Sequence, residues 1–378
     1  MKGAGPPLLV GCFSSAGSGV LMPTRTARGG PLVDESYAGQ QVVGLDLHRR
    51  RTVMVRMTPA GERLEAVRFA SAPAVLAEQI AKACPSPEVV VEATYNWYWV
   101  ADVLDEAGAR LHLAHPLGVK GFAYRRVKND FRDAADLADL LRMGRLPEAW
   151  IAPKHVRCQR ELVRHRHKLR QLCSGLKAGA HAVLAKNALL IPRSDMFGVD
   201  GRHRLRRLAL RQAYRVHLDS QLHLIDAFEA EIEDLDGRIR GLFDADAGYR
   251  ALLRVPGIGP VFAAILRAEI GEISRFPSPR QLNSWAGLTP RHRESDTTVH
   301  RGAITKQGSR LVRWAAVEAV QRTRAGTPMR ARYQQVVTRR GATAKHVAKV
   351  AAARELLDCV FYALRDGRVR RLGHTGAA

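Results

Sequence analysis

A chain of 378 residues has room for two or three domains, and with 46% hydrophobic residues it can bury a real core, which excludes wholesale disorder. Lys and Arg outnumber Asp and Glu by 60 to 36, a formal net charge of +24, far more than solubility requires, so a polyanion partner is expected. No run nears the ~20 continuous apolar residues of a membrane-spanning helix, and five scattered cysteines without a C-x-x-C pair fit reduced thiols, which predicts a cytoplasmic location and no membrane partner.

Residues 1–38 are rich in Gly, Pro, Ser and Ala without a sustained period and read as a disordered extension, with Met22 as an alternative start to Met1. Leu9-Val10-Gly11-Cys12 resembles a lipoprotein cleavage box, but the apolar run before it is too short and contains Pro6 and Pro7. From Gln41 the pattern becomes strict. Residues 42–47, 52–57 and 64–69 are short β-rich runs, the last two separated by the turn signal Thr58-Pro59-Ala60-Gly61. A helix over about 74–83, a strand at 89–91, a helix over about 97–107, a strand at 110–115 and helical sequence to about 143 follow. This order predicts an α/β domain over 39–150 with a mixed five-stranded sheet of the ribonuclease-H or RuvC type.

Leu162, Leu169, Leu176 and Val183 recur at seven-residue spacing, and Leu218, Leu222, Ile225, Ile232, Leu235, Ile239 and Leu242 line a second amphipathic stretch. The spacing predicts an antiparallel coiled-coil arm over 151–250, with residues 192–201 as a loop between its limbs. The first limb is strongly basic: residues 151–220 carry 16 cations against 4 acids, and Arg164, Arg166, Lys168 and Arg170 cluster on it. A mainly helical domain is expected over 251–365, where residues 251–378 carry 23 cations against 8 acids, and a basic tail over 366–378. Arg supplies 49 of the 60 cations, and its guanidinium fork pairs bidentately with phosphate.

Two strands end on carboxylates. Asp46 follows Val42-Val43-Gly44-Leu45, and Glu92 follows Val89-Val90-Val91; two such acids at core strand ends repel unless a cation lies between them. On a helix through Asn129–Leu141, Asp133 falls about 60° from Asp130 and the leucines 137, 140 and 141 lie within about 80° of it, whereas Asp139 stands opposite at about 180°. Asp130 and Asp133 therefore share the apolar face, Asp136 lies at its edge, and Asp139 reads as solvated. Four inward carboxylates suit Mg²⁺, and a pair of ions suits in-line phosphoryl chemistry. Tyr95, Trp97, Tyr98 and Trp99 read as packing for the second helix in preference to base stacking.

In the C-terminal part, Val255-Pro256-Gly257-Ile258-Gly259-Pro260 reads as a glycine hairpin between helices, with backbone N–H groups at Gly257 and Gly259 suited to a DNA phosphate. A polar, basic stretch follows, with Arg291, His292, Arg293, Ser295, Arg301, Lys306 and Arg310. A serine among cations can attack phosphorus, though most serines in such loops only shape turns.

Asp46, Glu92-Ala93-Thr94, Lys128-x-Asp130-x-x-Asp133-Ala134 with Leu137-Ala138, Pro256-Gly257-Ile258-Gly259, Ala286-Gly287-Leu288-x-Pro290 and Gly302-x-Ile304-x-Lys306-x-Gly308 occur in this order. The ordered set resembles the insertion-sequence transposases of family one hundred and ten, which are similar to the Piv-type DNA invertases. The resemblance runs from about residue 42 to 362. It implies a RuvC-like domain whose Asp46, Glu92, Asp130 and Asp133 hold Mg²⁺, a coiled-coil arm, and a C-terminal transposase domain with Ser295 as catalytic nucleophile. It also implies a recombinase that cuts and rejoins donor and target DNA through a phosphoserine link, guided by a structured RNA and acting as a dimer or tetramer, nucleoid-associated when bound to DNA. The chain departs from the family habit in carrying Asp296 after the serine, and Tyr95 and Asn96 after Glu-Ala-Thr, where glycine is common. The rival expectations are a RuvC-like Mg²⁺-dependent junction endonuclease with Ser295 as bystander, and an inactive nucleic-acid binder.

Overall fold

The computed structural model describes residues 37–122, 129–191 and 195–369, without the side chain of Arg301. Residues 1–36 of the extension, with Met22, Lys128 of the Asp130 motif and most of the basic tail lie outside the described residues. The chain divides into two compact units, one ending at Ile151 and one beginning at Ala152.

In the first unit, β1 (Val42–Leu47), β2 (Arg51–Met57) and β3 (Arg63–Ala70) form an antiparallel meander, and β4 (Glu88–Glu92) and β5 (Arg110–Ala114) add to it in parallel. The strand order β3-β2-β1-β4-β5 is the expected mixed five-stranded, ribonuclease-H-like sheet. Helices α1 (Pro73–Ala81) and α2 (Trp97–Glu106) follow β3 and β4, α3 (Pro116–Val119) is one turn, and α4 (Asp130–Arg142) closes the unit.

The period-2 alternation of the strands separates two apolar faces. Val43, Leu45, Leu47, Met54, Val89 and Val91 pack against Leu76 and Ile80 of α1 and Trp97, Val100 and Leu104 of α2. Val42, Val53, Val55 and Met57 face Ala134, Ala135 and Ala138 of α4, and Val90 faces Leu137. Trp97 is buried in the first of these cores while Tyr95 is 79% exposed, so the aromatic run is mainly packing. On α4 the wheel is right for the apolar face, but the acids opposite it differ: Asp136 is the exposed one, and Asp139 is half-buried and paired with Arg142 at 2.6 Å.

The second unit opens with α5 (Lys154–Lys186), which pairs antiparallel with α7 (Gln212–Phe243): Arg166 meets Asp236, and farther along α5 Lys177 meets Glu229. Leu169 and Cys173 interleave with Ile225, Ile232 and Leu235, and Ala180, Val183 and Leu184 with Leu218 and Leu222. Leu242 proves 46% exposed and Phe243 takes the buried place. The segment read as a loop contains the start of α6 (Val199–Arg207). Asp195 accepts hydrogen bonds from the Phe197 and Gly198 N–H groups in the turn before this helix, whose one fully buried apolar side chain, Leu205, is too little signal to read in an Arg-rich stretch.

The roots of α5 and α7, at Val163, Ile239 and Phe243, merge into one core with α8 (Ala247–Leu253), α9 (Pro260–Ile270), α11 (Arg310–Val320) and α13 (Lys345–Asp366). Two further helices, α10 (Pro279–Trp285) and α12 (Pro328–Arg340), complete the helical part. Between α10 and α11 stands an antiparallel hairpin, β6 (Pro290–Ser295) and β7 (Thr298–Ile304), where the sequence shows only a polar stretch. The residues of β6 are exposed on both faces, so the strand carries no alternating apolar signal.

Candidate functional site

The acidic site is built by β1, β4 and α4. Alternation turns Asp46 and Glu92 to the face that α4 covers, and Leu45 pairs in parallel with Val91, so the two carboxylates follow the last pair of the register side by side. Asp46 is the penultimate residue of β1, since Leu47 continues the strand into the core. Asn129 caps α4 by accepting from the Phe131 N–H, which puts Asp130 and Asp133 in the first turn, where the helix N-terminus favours negative charge.

Gly44 sets the depth of the site. A Cβ there would lie 1.9 Å from the Ala134 carbonyl oxygen, so only glycine lets α4 settle this close to β1. The consequence is that Asp46 and Asp130 reach the same imidazole. His48 Nε2 stands 3.1 Å from Asp46 Oδ2 and 3.6 Å from Asp130 Oδ1, and the three residues each offer a donor atom within 4.8 Å of the others. Arg68 Nη2 stands 3.5 Å from Asp130 Oδ2 and its guanidinium lies over the Phe131 ring. Sequence reasoning missed both His48 and Arg68. Only half of the signal for His48 was present: in Asp46-Leu47-His48 the alternation that buries Leu47 returns residue 48 to the face of Asp46, but nothing local gives it Asp130 as a second partner. Glu92 and Asp133 are half-buried on the same elements and are not members of this trio.

Ser295 occupies the tip of the β6–β7 hairpin, paired with Thr298 across the two-residue turn Asp296-Thr297, and is exposed. Asp296 has φ +51, in the left-handed region where glycine is at ease and Asp is tolerated. Arg291 and Arg293 are exposed on β6, and beyond β7 Lys306 and Arg310 are exposed. Arg301 stands on β7 opposite His292, with its side chain outside the described set. Among the described side chains no hydrogen bond or ion pair involves Ser295, while His292 pairs with Glu294 at 3.0 Å.

The base of the hairpin, by contrast, is locked. A Cβ on Gly287 (φ +70) would meet the Gln307 carbonyl at 2.0 Å, and one on Gly308 (φ +80) the Trp285 carbonyl at 1.7 Å. The Gly-Leu-x-Pro and Gly-x-Ile-x-Lys-x-Gly segments thus interlock backbone to backbone, and Lys306 N–H donates to the Gly287 carbonyl. Arg313 Nη1 spans the seam, 3.0 Å from the carbonyls of Ala286 and Gln307. Behind it Arg275 stacks on Phe276 and Trp285, and burial, followed by the charge of Arg160, pushes its guanidinium down to about 10.

The glycine hairpin connects α8 to α9 as expected. Gly257 (φ +89) is pressed against the Ala319 carbonyl of α11, 2.5 Å from where a Cβ would be, so it serves packing; Gly259 has open space where its Cβ would be. On the arm, Arg164 is bidentate on the buried carboxylate of Glu269 and Arg166 bidentate on Asp236, at 2.8 Å to each oxygen, whereas Lys168 and Arg170 are exposed. Part of the basic limb is therefore neutralised internally.

Comparison with known proteins finds two transposase domains. A DEDD transposase domain of IS110 elements matches residues 43–187, and the domain described as "Transposase IS116/IS110/IS902 family" matches residues 249–334. The chain is 31% identical over 193 residues to the putative transposase y4qE of Sinorhizobium fredii, covering 51% of this chain and 47% of that protein. It is 24% identical over 288 residues, 74% of this chain and 83% of the relative, to the transposase for insertion sequence element IS1328 of Yersinia enterocolitica. Over 143 residues, 36% of this chain and 44% of the relative, it is 32% identical to the pilin gene-inverting protein of Moraxella lacunata. The chain spans about half the length of the first of these relatives. The chain thus carries, in order, two transposase domains of the IS110/IS116/IS902 type, the DEDD domain over the sheet, α4 and α5 and the second from α8 through the hairpin to α12.

Proposed function

We propose that the chain is the transposase of a mobile insertion sequence, cutting and rejoining DNA without net hydrolysis of a phosphodiester. The observation that carries this reading is the presence in one chain of a carboxylate site between the sheet and α4, Asp46 with Asp130, and an exposed serine on a firmly seated hairpin in a second transposase domain. In the forward step Ser295 Oγ bonds to phosphorus and the phosphorus–O3′ bond breaks. The serine proton ends on the released 3′-hydroxyl, and the 5′-phosphate stays on the serine as an ester. Rejoining is the reverse attack by a 3′-hydroxyl, so the bond energy is conserved.

The donor set fits a divalent cation, since two carboxylates and an imidazole offer donor atoms within 4.8 Å of one another. Asp46, Glu92, Asp130 and Asp133 would hold Mg²⁺, as two ions when substrate is present. Bound there, it supplies positive charge at the scissile phosphate and the departing oxygen. Arg291, Arg293, Arg301, Lys306 and Arg310 around the hairpin, Gly259 at the head of α9 and the exposed cations of the arm neutralise phosphates. The excess of Arg, whose guanidinium pairs with phosphate, supports a structured guide RNA as a further partner, pairing with donor and target. Serine and carboxylates drawn from different protomers of a dimer or tetramer complete the reading.

The test is strand cleavage of supercoiled DNA carrying the element's ends. Asp46→Asn and Asp133→Asn keep shape and remove ligand charge, so each abolishes cleavage while leaving nucleic-acid affinity within about twofold, because the positive field lies beyond residue 150. Wild-type rates in either variant, or in excess chelator, overturn the metal site.

A further inference from the structure

We propose that His48 is a further protein donor of this metal site, beside Asp46 and Asp130, and that its imidazole makes the centre bind Mn²⁺ more tightly than Mg²⁺. The inference rests on the metal reading above and deepens it. Nε2 of His48 is 3.1 Å from Asp46 Oδ2 and 3.6 Å from Asp130 Oδ1, and the three residues offer donor atoms that all lie inside 4.8 Å. An octahedral ion with bonds of about 2.1–2.2 Å holds neighbouring donors about 3.0 Å apart and opposite donors about 4.3 Å apart. The trio already has the span of one coordination sphere.

The rest of the surroundings favour the same assignment. Asp130 divides its oxygens, Oδ2 toward Arg68 at 3.5 Å and Oδ1 toward His48, which leaves Oδ1 for the ion. The backbone of residue 48 is fixed at both ends: its N–H donates to the Arg51 carbonyl at 3.1 Å, and its carbonyl accepts from Ser71 Oγ at 2.8 Å. The ring is thus delivered from a tight β1–β2 turn tied down just beyond β3. Its side chain is 44% exposed, so one side of the sphere faces solvent and can take water or a phosphate oxygen. A purely carboxylate set suits Mg²⁺, whereas an imidazole nitrogen raises the affinity of Mn²⁺ and later metals without comparable gain for Mg²⁺.

The experiment is Mn²⁺ titration of the full chain, stripped of divalent ions, followed by pulsed electron paramagnetic resonance of the bound Mn²⁺. The wild type is expected to show ¹⁴N modulation from one directly bound imidazole. His48→Gln, which retains a polar side chain, is expected to lose that modulation and to bind Mn²⁺ about tenfold more weakly, with a smaller change for Mg²⁺. Asp46→Asn is the control for the parent reading and should lose the Mn²⁺ site itself. Bound Mn²⁺ without ¹⁴N modulation in the wild type, or modulation that persists in His48→Gln, overturns the assignment of His48 while leaving the carboxylate site standing. Absence of Mn²⁺ binding to the wild type overturns both.

Discussion

Gly44 of β1 and Ala134 of α4 touch backbone to backbone: a Cβ on Gly44 would stand 1.9 Å from the Ala134 carbonyl oxygen and 3.1 Å from the Ala138 nitrogen. That approach brings the first turn of α4 over the end of β1, and with it Asp130 to the imidazole that Asp46 already holds. Gly44→Ala is therefore expected to lift α4 from the sheet, lowering stability by about 1–3 kcal/mol in a thermal or urea melt. Divalent-metal affinity should fall with it, although no ligand is changed. Full metal affinity in this variant would separate helix seating from site geometry.

The arm makes a prediction that divides its cations in two. Lys168 and Arg170 are exposed and available to phosphates, while Arg166 is held by Asp236 with only 13% of its side chain exposed. Neutralising Lys168 and Arg170 should flatten the dependence of log affinity on log salt by roughly 0.7–0.9 for each phosphate that these two side chains neutralise. Arg166→Ala should instead cost about 1 kcal/mol of stability with little change in slope, because it strands Asp236. Salt titrations of RNA and DNA binding beside urea melts of the same variants check both halves.

Asp246 ties α8 to α9, accepting the Tyr249 N–H at 2.6 Å and Arg267 Nε at 2.9 Å. Burial pushes this carboxyl up, but the hydrogen bonds from Arg267 and Tyr249 and the Arg267 charge outweigh it and hold it below its ordinary value. A carboxyl depressed in the folded state contributes stability that is complete above the unfolded-state pKa and is lost as pH falls through the lower, folded value. Asp246→Asn should cost about 0.5–2 kcal/mol at neutral pH, and the deficit against wild type should shrink on acidification. A deficit that stays constant with pH would assign the loss to packing alone.

Much of the sheet was legible because its strands are half-buried and alternate: the βββαβαβα order and the apolar face of α4 follow from periods of 2 and 3.6 residues. The antiparallel arm followed from its leucine repeat. Three features were not legible, for different physical reasons. His48 looks like one more polar residue in a basic turn, and only a helix far along the chain gives it Asp130 as a second partner. The β6–β7 hairpin has an exposed first strand, so it shows no apolar rhythm. Gly287 and Gly308 are needed for close approach to Gln307 and Trp285, and such approaches leave no local trace beyond the glycines themselves.

Ser295 stands at the tip of that hairpin, exposed, on a base that Gly287, Gly308 and Arg313 lock in place. The most direct test of the proposed chemistry is to incubate the protein with Mg²⁺ and supercoiled substrate, trap any denaturant-resistant protein–DNA adduct, and map the modified peptide. The account predicts a phosphate ester on Ser295 and the loss of both adduct and recombinant product in Ser295→Ala. Ser309 is the internal comparison, because its hydroxyl already caps α11 and donates to Glu269. An adduct on Ser309, or metal-dependent hydrolytic cleavage that survives in Ser295→Ala with no adduct at all, would contradict the serine mechanism, the second result pointing to a water-using nuclease in its place.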